Sequence, residues 1–175
     1  MYSKRRKGEL EYIQKNTAGE YVYTGARYVY AGDLPRKRAL LLLWLAAGLS
    51  AACALGSGLL PAPGMTGCWY VPLPCVLCLV AAVSQLWGLG QLTLSGDPIR
   101  EFVYETACKK LPLRAMLTAV LAGVSVLGEL CYLLLHGPGD RLFPALGYLL
   151  LMVLSCVFSG LSRGLLPRLH WDKES

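Results

Sequence analysis

ALLLLWLAAGLSAACALGSGLL, residues Ala39–Leu60, has the composition of a helix that crosses a membrane. The run holds 22 residues without charge or proline, and nine of them are leucine. At a rise of about 1.5 Å per residue, a helix of this length spans a bilayer core of about 30 Å. Its leucines alone favour insertion by roughly 3–5 kcal/mol. The run therefore predicts a first transmembrane helix, and the other segments are interpreted around it.

Three later segments share this composition, at residues 74–94, 115–135 and 143–161. Only 16% of the chain is charged, whereas a soluble domain carries about 25%. We predict an all-α fold, a four-helix transmembrane bundle over residues 39–162, preceded by an extension over 1–38 and followed by a tail over 163–175. Because the extension is polar, we expect the first span to act as the insertion signal, with no cleaved signal peptide.

Small residues at intervals of four mark one stripe of the first span. They are Gly48, Ala52 and Gly56, with Ala47 and Ala51 beside them. Small side chains let helices approach each other closely in lipid. We therefore predict that this stripe faces the other helices.

Positive charge is distributed unevenly along the chain. Residues 1–38, 95–114 and 163–175 hold nine, four and three of the 17 Lys and Arg residues, whereas the other two connections hold none and one. Cytoplasmic loops carry such an excess. The sequence therefore predicts a multi-pass protein of the cell membrane with both termini in the cytoplasm. Because the charge lies next to the spans, we expect the lipid bilayer as its partner and no nucleic acid.

Two basic clusters precede the first span and predict contact with anionic lipid headgroups, where each cation contributes about 1 kcal/mol. The clusters are Lys4, Arg5, Arg6 and Lys7, and Arg36, Lys37 and Arg38. For the first cluster, a solvated basic tail is the alternative.

Two elements are predicted outside the spans. Residues 20–32 contain two Tyr-Val-Tyr runs around Gly25, which is typical of a short β-hairpin; the alternative is an unstructured aromatic linker. Residues 98–110 place apolar side chains at helical spacing, with Asp97 as the N-cap and Pro98 at the first helical position. There we predict an amphipathic cytoplasmic helix that lies on the membrane surface.

Cys75 and Cys78 lie three residues apart at the start of the second span, in the string Pro74-Cys75-Val76-Leu77-Cys78. This spacing places both thiols on one helix face, and the N–H groups at a helix N-terminus favour the thiolate. The string resembles the corresponding stretch of the bacterial inner-membrane quinone reductases that regenerate periplasmic disulfide oxidases. Those enzymes are also four-helix proteins with cytoplasmic termini. The resemblance implies that Cys75 and Cys78 form a quinone-coupled redox pair.

The resemblance covers these five residues only. The family has a second cysteine pair between its third and fourth spans, but the connection Gly137–Leu142 contains no cysteine. It also has an arginine shortly after its second cysteine, where this chain has four apolar residues, 79–82. The alternative is that both cysteines fill contacts between helices.

Glu129 is the acidic residue inside a predicted span. An ionisable group within the bilayer is a functional hypothesis by default. Its cost of about 2.5–3.5 kcal/mol is offset by roughly 3–6 kcal/mol from the leucines and valines around it. Two interpretations stay open. One is proton or substrate coupling, and the other is a structural role with hydrogen bonds to Ser84, Gln85, Tyr132 or water.

No phosphate-binding loop, nucleophile with its base, or metal-binding helix motif is recognisable in the sequence. Cys68 and His136 are expected on the same side of the membrane, but their spacing matches no metal-ligand pattern. We therefore expect no cofactor and no metal.

The function predicted is that of a non-catalytic accessory protein, scaffold or small subunit of a membrane complex. Its partners would be other membrane proteins or a second copy of the chain. One alternative is a small proton-coupled transporter that uses Glu129. The other is a membrane thiol-disulfide oxidoreductase that uses Cys75 and Cys78.

Overall fold

The computed structural model describes residues 13–15, 21–23, 25–137 and 139–173, with side chains from residue 25 onward. Six helices follow one another in this part of the chain. They are α1 (Arg36–Leu59), α2 (Pro63–Gly67), α3 (Pro72–Leu94), α4 (Glu101–Thr106), α5 (Leu111–His136) and α6 (Leu142–Leu165). The prediction of four long apolar helices is confirmed, because α1, α3, α5 and α6 are each long and apolar enough to cross a membrane.

Proline and glycine set the ends of these helices. Proline stands at the first or second position of α2, α3 and α5, where a missing backbone N–H costs no hydrogen bond. The helix α1 begins directly after Pro35 and so includes Arg36, Lys37 and Arg38, three residues before the predicted start. The helix α5 ends directly before Gly137, whose φ of 73° lies in the left-handed region.

The four long helices pack in a ring, in which α1 contacts α3 and α6, and α5 contacts the same two helices. The buried side chains of α5 and α6 recur at alternating intervals of three and four, and most of them are small or polar. On α5 these are Leu111, Ala115, Thr118, Ala122, Ser125 and Glu129, and on α6 Ala145, Tyr148, Met152, Ser155, Ser159 and Ser162. This spacing keeps one stripe of each helix against its neighbours, as in left-handed bundles.

The packed face of α1 agrees in part with the predicted one, because Ala47 and Ala51 are buried. Ala47, Ser50, Ala54 and Ser57 are buried on α1, whereas Ala52 is exposed and a Cβ on Gly48 would meet no atom within 4 Å. The buried set again follows the three-four alternation, and it excludes the central stripe residues Gly48 and Ala52. Small residues alone did not identify the face, because they occur on both sides of this helix.

Three short strands form an antiparallel sheet at one end of the helix ring, and we call this sheet the cap. The strand β3 (Arg27–Tyr30) lies between β4 (Ile99–Arg100) and β5 (Trp171–Lys173), with Tyr28 opposite both Ile99 and Lys173. Ile99 and Trp171 are buried against residues at the ends of the long helices. Each strand comes from one of the three segments that are rich in Lys and Arg, so these segments meet at the same end.

The predicted hairpin over residues 20–32 has a different pairing in the structure. The strand β2 (Tyr21–Tyr23) pairs with β1 (Ile13–Lys15), whereas β3 pairs within the cap. A two-stranded hairpin alone is marginally stable in water, and three strands over an apolar face are more stable. The backbone N–H of Ala26 also bonds Glu101 Oε2 at 2.9 Å, which fixes the start of β3 to α4.

The predicted surface helix over residues 98–110 is shorter than expected. Ile99 and Arg100 belong to the cap, so α4 begins at Glu101, and a 3₁₀ turn over Cys108–Lys110 leads into α5. Asp97 makes no N-cap and instead faces Arg36, with 4.0 Å between Oδ2 and Nη1. The residues that sequence patterning assigned to the first helical turn thus pair in the sheet instead.

Candidate functional site

Glu129 lies on the interior stripe of α5 and is fully buried. Its Oε1 accepts a hydrogen bond from the backbone N–H of Gly64 at 3.4 Å. Its Oε2 has no hydrogen-bond partner among the residues that the structure describes. Among protein groups, the partner therefore differs from the candidates that the sequence suggested, which were Ser84, Gln85 and Tyr132. A buried carboxyl with one free oxygen is the most unusual chemical group in the interior.

The short helix α2 covers Glu129, and we call it the lid. A Cβ on Gly64 would collide with the Glu129 carboxylate, and a Cβ on Gly67 would collide with the Tyr132 hydroxyl. The two glycines are three residues apart on the lid, and Glu129 and Tyr132 are three residues apart on α5. Each glycine of the lid therefore lies against one of these two side chains. Both glycines are needed because the lid backbone lies directly on these side chains.

Hydroxyl and thiol groups extend from the lid into the interior. The Tyr148 hydroxyl, fully buried on α6, is hydrogen-bonded to the Ser125 hydroxyl, and Tyr148 belongs to the same core cluster as Cys75. The Cys75 sulfur in turn lies 3.7 Å from the Ser57 hydroxyl of α1. All four long helices thus contribute a polar group near Glu129. We call these five residues the lid cluster: Ser57, Cys75, Ser125, Glu129 and Tyr148.

Cys75 and Cys78 share one face of α3, as predicted, and both are buried free thiols. Cys75 interacts with Ser57 and Tyr148, whereas Cys78 donates to the Thr118 carbonyl oxygen at 3.6 Å. Thiol-disulfide exchange needs a thiolate that a second sulfur can reach. In this structure an external disulfide could reach neither sulfur unless the helices separated. The redox pair stays a prediction.

Further from the lid, hydroxyl groups connect α1 to α6. The Ser50 hydroxyl lies 3.0 Å from the Ser155 hydroxyl and 2.8 Å from that of Ser159, and Ser155 donates to the Ser50 carbonyl at 3.1 Å. Two other buried polar side chains, Gln85 and Ser162, have no partner for their polar atoms in the described part of the chain. The serines act as hydrogen-bonded contacts between helices, which is a common arrangement in lipid.

The second basic cluster divides into one partly buried and two exposed cations. The guanidinium of Arg36 donates to the Leu92 carbonyl at 3.3 Å and lies 5.5 Å from the ring centre of Trp171. Lys37 and Arg38 are exposed at the start of α1. Arg36 thus ties α1 to the cap, while its two neighbours remain available to an anionic surface. The first cluster, Lys4 to Lys7, lies outside the described residues.

Burial also affects one titratable side chain of the cap. Desolvation first, and then the charge of Asp33, raise the pKa of Tyr30 above its ordinary value. Its hydroxyl donates to the Leu34 carbonyl oxygen at 2.7 Å, so the neutral form is the one that the fold uses. Tyr30 therefore joins β3 to the turn before α1 and is not a candidate for chemistry at neutral pH.

A metal centre has no donor set within residues 25–137 and 139–173, because no three His, Cys, Asp or Glu side chains there lie close enough together. Comparison with protein-family models, with curated proteins and with solved structures found no match to this chain.

Sequence reasoning identified Glu129, Cys75 and Cys78 but missed the residues that surround them. Gly64, Gly67 and Tyr148 were not singled out, although a signal for each was present. The lid has glycines three apart directly after a proline, and Tyr148 belongs to a seven-residue repeat with Ser155 and Ser162. Reading that repeat on α5 and α6 would have placed Ser125 and Tyr148 on the interior face.

Proposed function

We propose that this chain is an integral membrane protein of four spans, with both termini in the cytoplasm. We propose further that it serves as a non-catalytic accessory protein, scaffold or small subunit of a membrane complex. Its outer helix faces would contact lipid, other membrane proteins or a second copy of the chain.

The distribution of side chains between interior and surface carries this proposal. Large apolar side chains point outward on all four long helices: Leu59 is 77% exposed, Leu94 89%, Leu134 85% and Phe143 85%. The interior is richer in alanine and serine, and its buried large side chains, such as Leu43, Leu89 and Tyr148, are fewer than the exposed ones. A protein that folds in water buries its large apolar residues and rarely exposes extended apolar patches. The opposite arrangement is stable where lipid surrounds the helices.

The non-catalytic part of the proposal is supported by how the interior polar groups are used. Three serines, Ser50, Ser57 and Ser125, each contact a side chain of another helix. Glu129 accepts a hydrogen bond from the backbone of the lid. These contacts account for most polar groups of the interior by packing alone. A role in assembly needs nothing further from them, whereas catalysis would need a reachable substrate site.

Membrane extraction and reporter fusions test the proposal. After alkaline carbonate washing of membranes, the chain should remain in the pellet, and detergent should release it. A reporter that is active only outside the cytoplasm should be inactive at either terminus and active when inserted in the turn over residues 137–142. Release by carbonate, or activity at a terminus, would contradict the membrane placement.

A small proton-coupled transporter that uses Glu129 is the second candidate, because Glu129 Oε2 is buried and has no partner in the described part of the chain. Proteoliposomes with an internal pH indicator would measure proton entry driven by an imposed gradient. Loss of that flux in Glu129→Gln would support transport, and Glu105→Gln is the matched control because Glu105 is exposed outside the long helices. Equal flux in both variants and in empty liposomes would remove this candidate.

A further inference from the structure

A groove opens at the cap end of the molecule, where α5 begins and α6 ends. Its volume is about 260 Å³, and its walls include Leu111, Leu166, Leu169 and Trp171. The side chains of Lys109 and Arg163 lie at its edge and are exposed. We call it the interfacial groove. Its volume is slightly below the range of about 300–1,000 Å³ that is typical of pockets for drug-sized ligands. It therefore suits a headgroup better than a complete lipid.

The charges around the interfacial groove favour an anion. None of the described residues that line it is acidic. Lys109 forms an ion pair with Glu105, in which Nζ and Oε1 are 3.4 Å apart. Both side chains are about half exposed. On the other side, Arg36 lies over the Trp171 ring and faces Asp97 at 4.0 Å. The exposed pair with Glu105 leaves Lys109 able to exchange its partner, since such pairs are weak.

The position of the groove indicates a lipid and not a free anion. Its lining comes from the first turn of α5 and from the residues just after α6, which is the level of the headgroups if the proposed membrane placement holds. Beside it, the outward face of α6 forms a shallow apolar groove along Gly160 and Gly164. A Cβ on either glycine would meet no atom within 4 Å, so this face is open.

We propose that the interfacial groove binds the headgroup of an anionic phospholipid. The phosphate would lie between Lys109 and Arg163, and an acyl chain would lie along Gly160 and Gly164 on α6. Two cations that converge on one phosphate, next to an apolar surface, match the two halves of such a lipid. The proposal rests on the proposed membrane placement and adds a specific site to it.

A lipid titration of the full-length protein in neutral detergent tests the site. The melting temperature is followed as phosphatidylglycerol or phosphatidylcholine of the same chain length is added, and the apparent dissociation constants are compared. We expect phosphatidylglycerol to bind about ten-fold more tightly or better, since two cations contribute. The double variant Lys109→Gln with Arg163→Gln should lose that preference.

Three matched variants distinguish binding in the groove from electrostatic attraction of anionic lipid to the protein surface as a whole. Lys37→Gln with Arg38→Gln removes the same charge from side chains that do not line the groove, so we expect a smaller loss of affinity than in the Lys109/Arg163 variant. Lys109→Arg with Arg163→Lys keeps both charges and should bind like the original. Glu105→Gln removes the competing carboxylate and should tighten binding.

The outcomes are distinguishable. Equal affinity for the two lipids, or equal losses in the Lys109/Arg163 and Lys37/Arg38 variants, would overturn the groove assignment. Displacement of phosphatidylglycerol by glycerol phosphate at the same concentration would show a site for a soluble anion, which also overturns it. A chain that stays monomeric in solution without detergent would contradict the membrane placement before any lipid is added.

Discussion

Gly64 is a residue at which the fold leaves no space for a larger side chain. A methyl group there would collide with the Glu129 carboxylate, and Val71 Cγ2 at 3.0 Å and Glu129 Cδ at 3.1 Å limit any sideways shift. We therefore expect Gly64→Ala to lower the free energy of unfolding by about 1–3 kcal/mol, as overpacking does. Denaturant titration in detergent measures this change.

Gly123→Ala is the control for that substitution. Gly123 lies on α5, like Glu129, but a Cβ there would meet no atom within 4 Å. In a helix interior, replacing glycine with alanine stabilises by about 0.5–1 kcal/mol. If both variants changed stability by the same amount and in the same direction, close contact between the lid and Glu129 would not be the cause.

Glu129 itself can be tested for a structural role by two substitutions of similar size. Glu129→Gln keeps an oxygen that can accept the Gly64 N–H, so we expect little change in the free energy of unfolding. Glu129→Leu leaves that N–H buried without a partner, which costs about 1–3 kcal/mol. Equal stability of both variants in denaturant titrations would show that the bond to the lid contributes nothing.

At the scale of the elements, the contact between α1 and α6 depends on hydroxyl groups. Ser50 contacts Ser155 and Ser159, whereas Ser162 on the same stripe of α6 has no partner in the described residues. Hydrogen bonds between helices in lipid contribute about 0.6 kcal/mol each and up to about 1.7. We expect Ser50→Ala to destabilise by about 1–2 kcal/mol and Ser162→Ala to have no effect or to stabilise. Similar values for the two in denaturant titrations would contradict this assignment.

The four long helices could be predicted because their signal is local. Each run of apolar residues carries its own length and composition, so Ala39–Leu60 could be interpreted without its neighbours. The face that each helix buries was harder to predict. In lipid the outward side is also apolar, so hydrophobicity does not distinguish the faces, and the signal is the seven-residue repeat of small and polar residues.

The cap could not be predicted, for a different physical reason. Its strands have only two to four residues, and β3 pairs with segments about 70 and 140 residues away along the chain. Local propensity carries no information about pairing between segments so far apart. The same limit applies to the lid, whose contact with Glu129 spans 65 residues. The sequence contained the interacting residues, but their pairing depends on how the helix ring brings their ends together.

At the scale of the whole molecule, the two ends of the helix ring differ in chemistry. One end carries the cap, Arg36 and the interfacial groove, and the other carries the lid over Glu129. The strands that the three segments rich in Lys and Arg contribute meet at the cap end. The proposed orientation, which follows from the positive-inside rule, would place the cap in the cytoplasm and the lid on the outer side.

Cysteine labelling in sealed vesicles tests this orientation. Cys68 follows the lid and Cys108 lies beside the cap, and both are partly exposed, whereas Cys75 and Cys78 are buried. With a membrane-impermeant maleimide, we expect Cys68 to be labelled in right-side-out vesicles and Cys108 in inverted ones, as mapped by mass spectrometry. Cys75 and Cys78 should react only after denaturation, and then equally with and without reductant. Labelling of Cys68 and Cys108 from the same side would overturn the topology. A need for reductant at Cys75 and Cys78 would instead favour the thiol oxidoreductase, because only an oxidised pair resists the maleimide once the helices have separated.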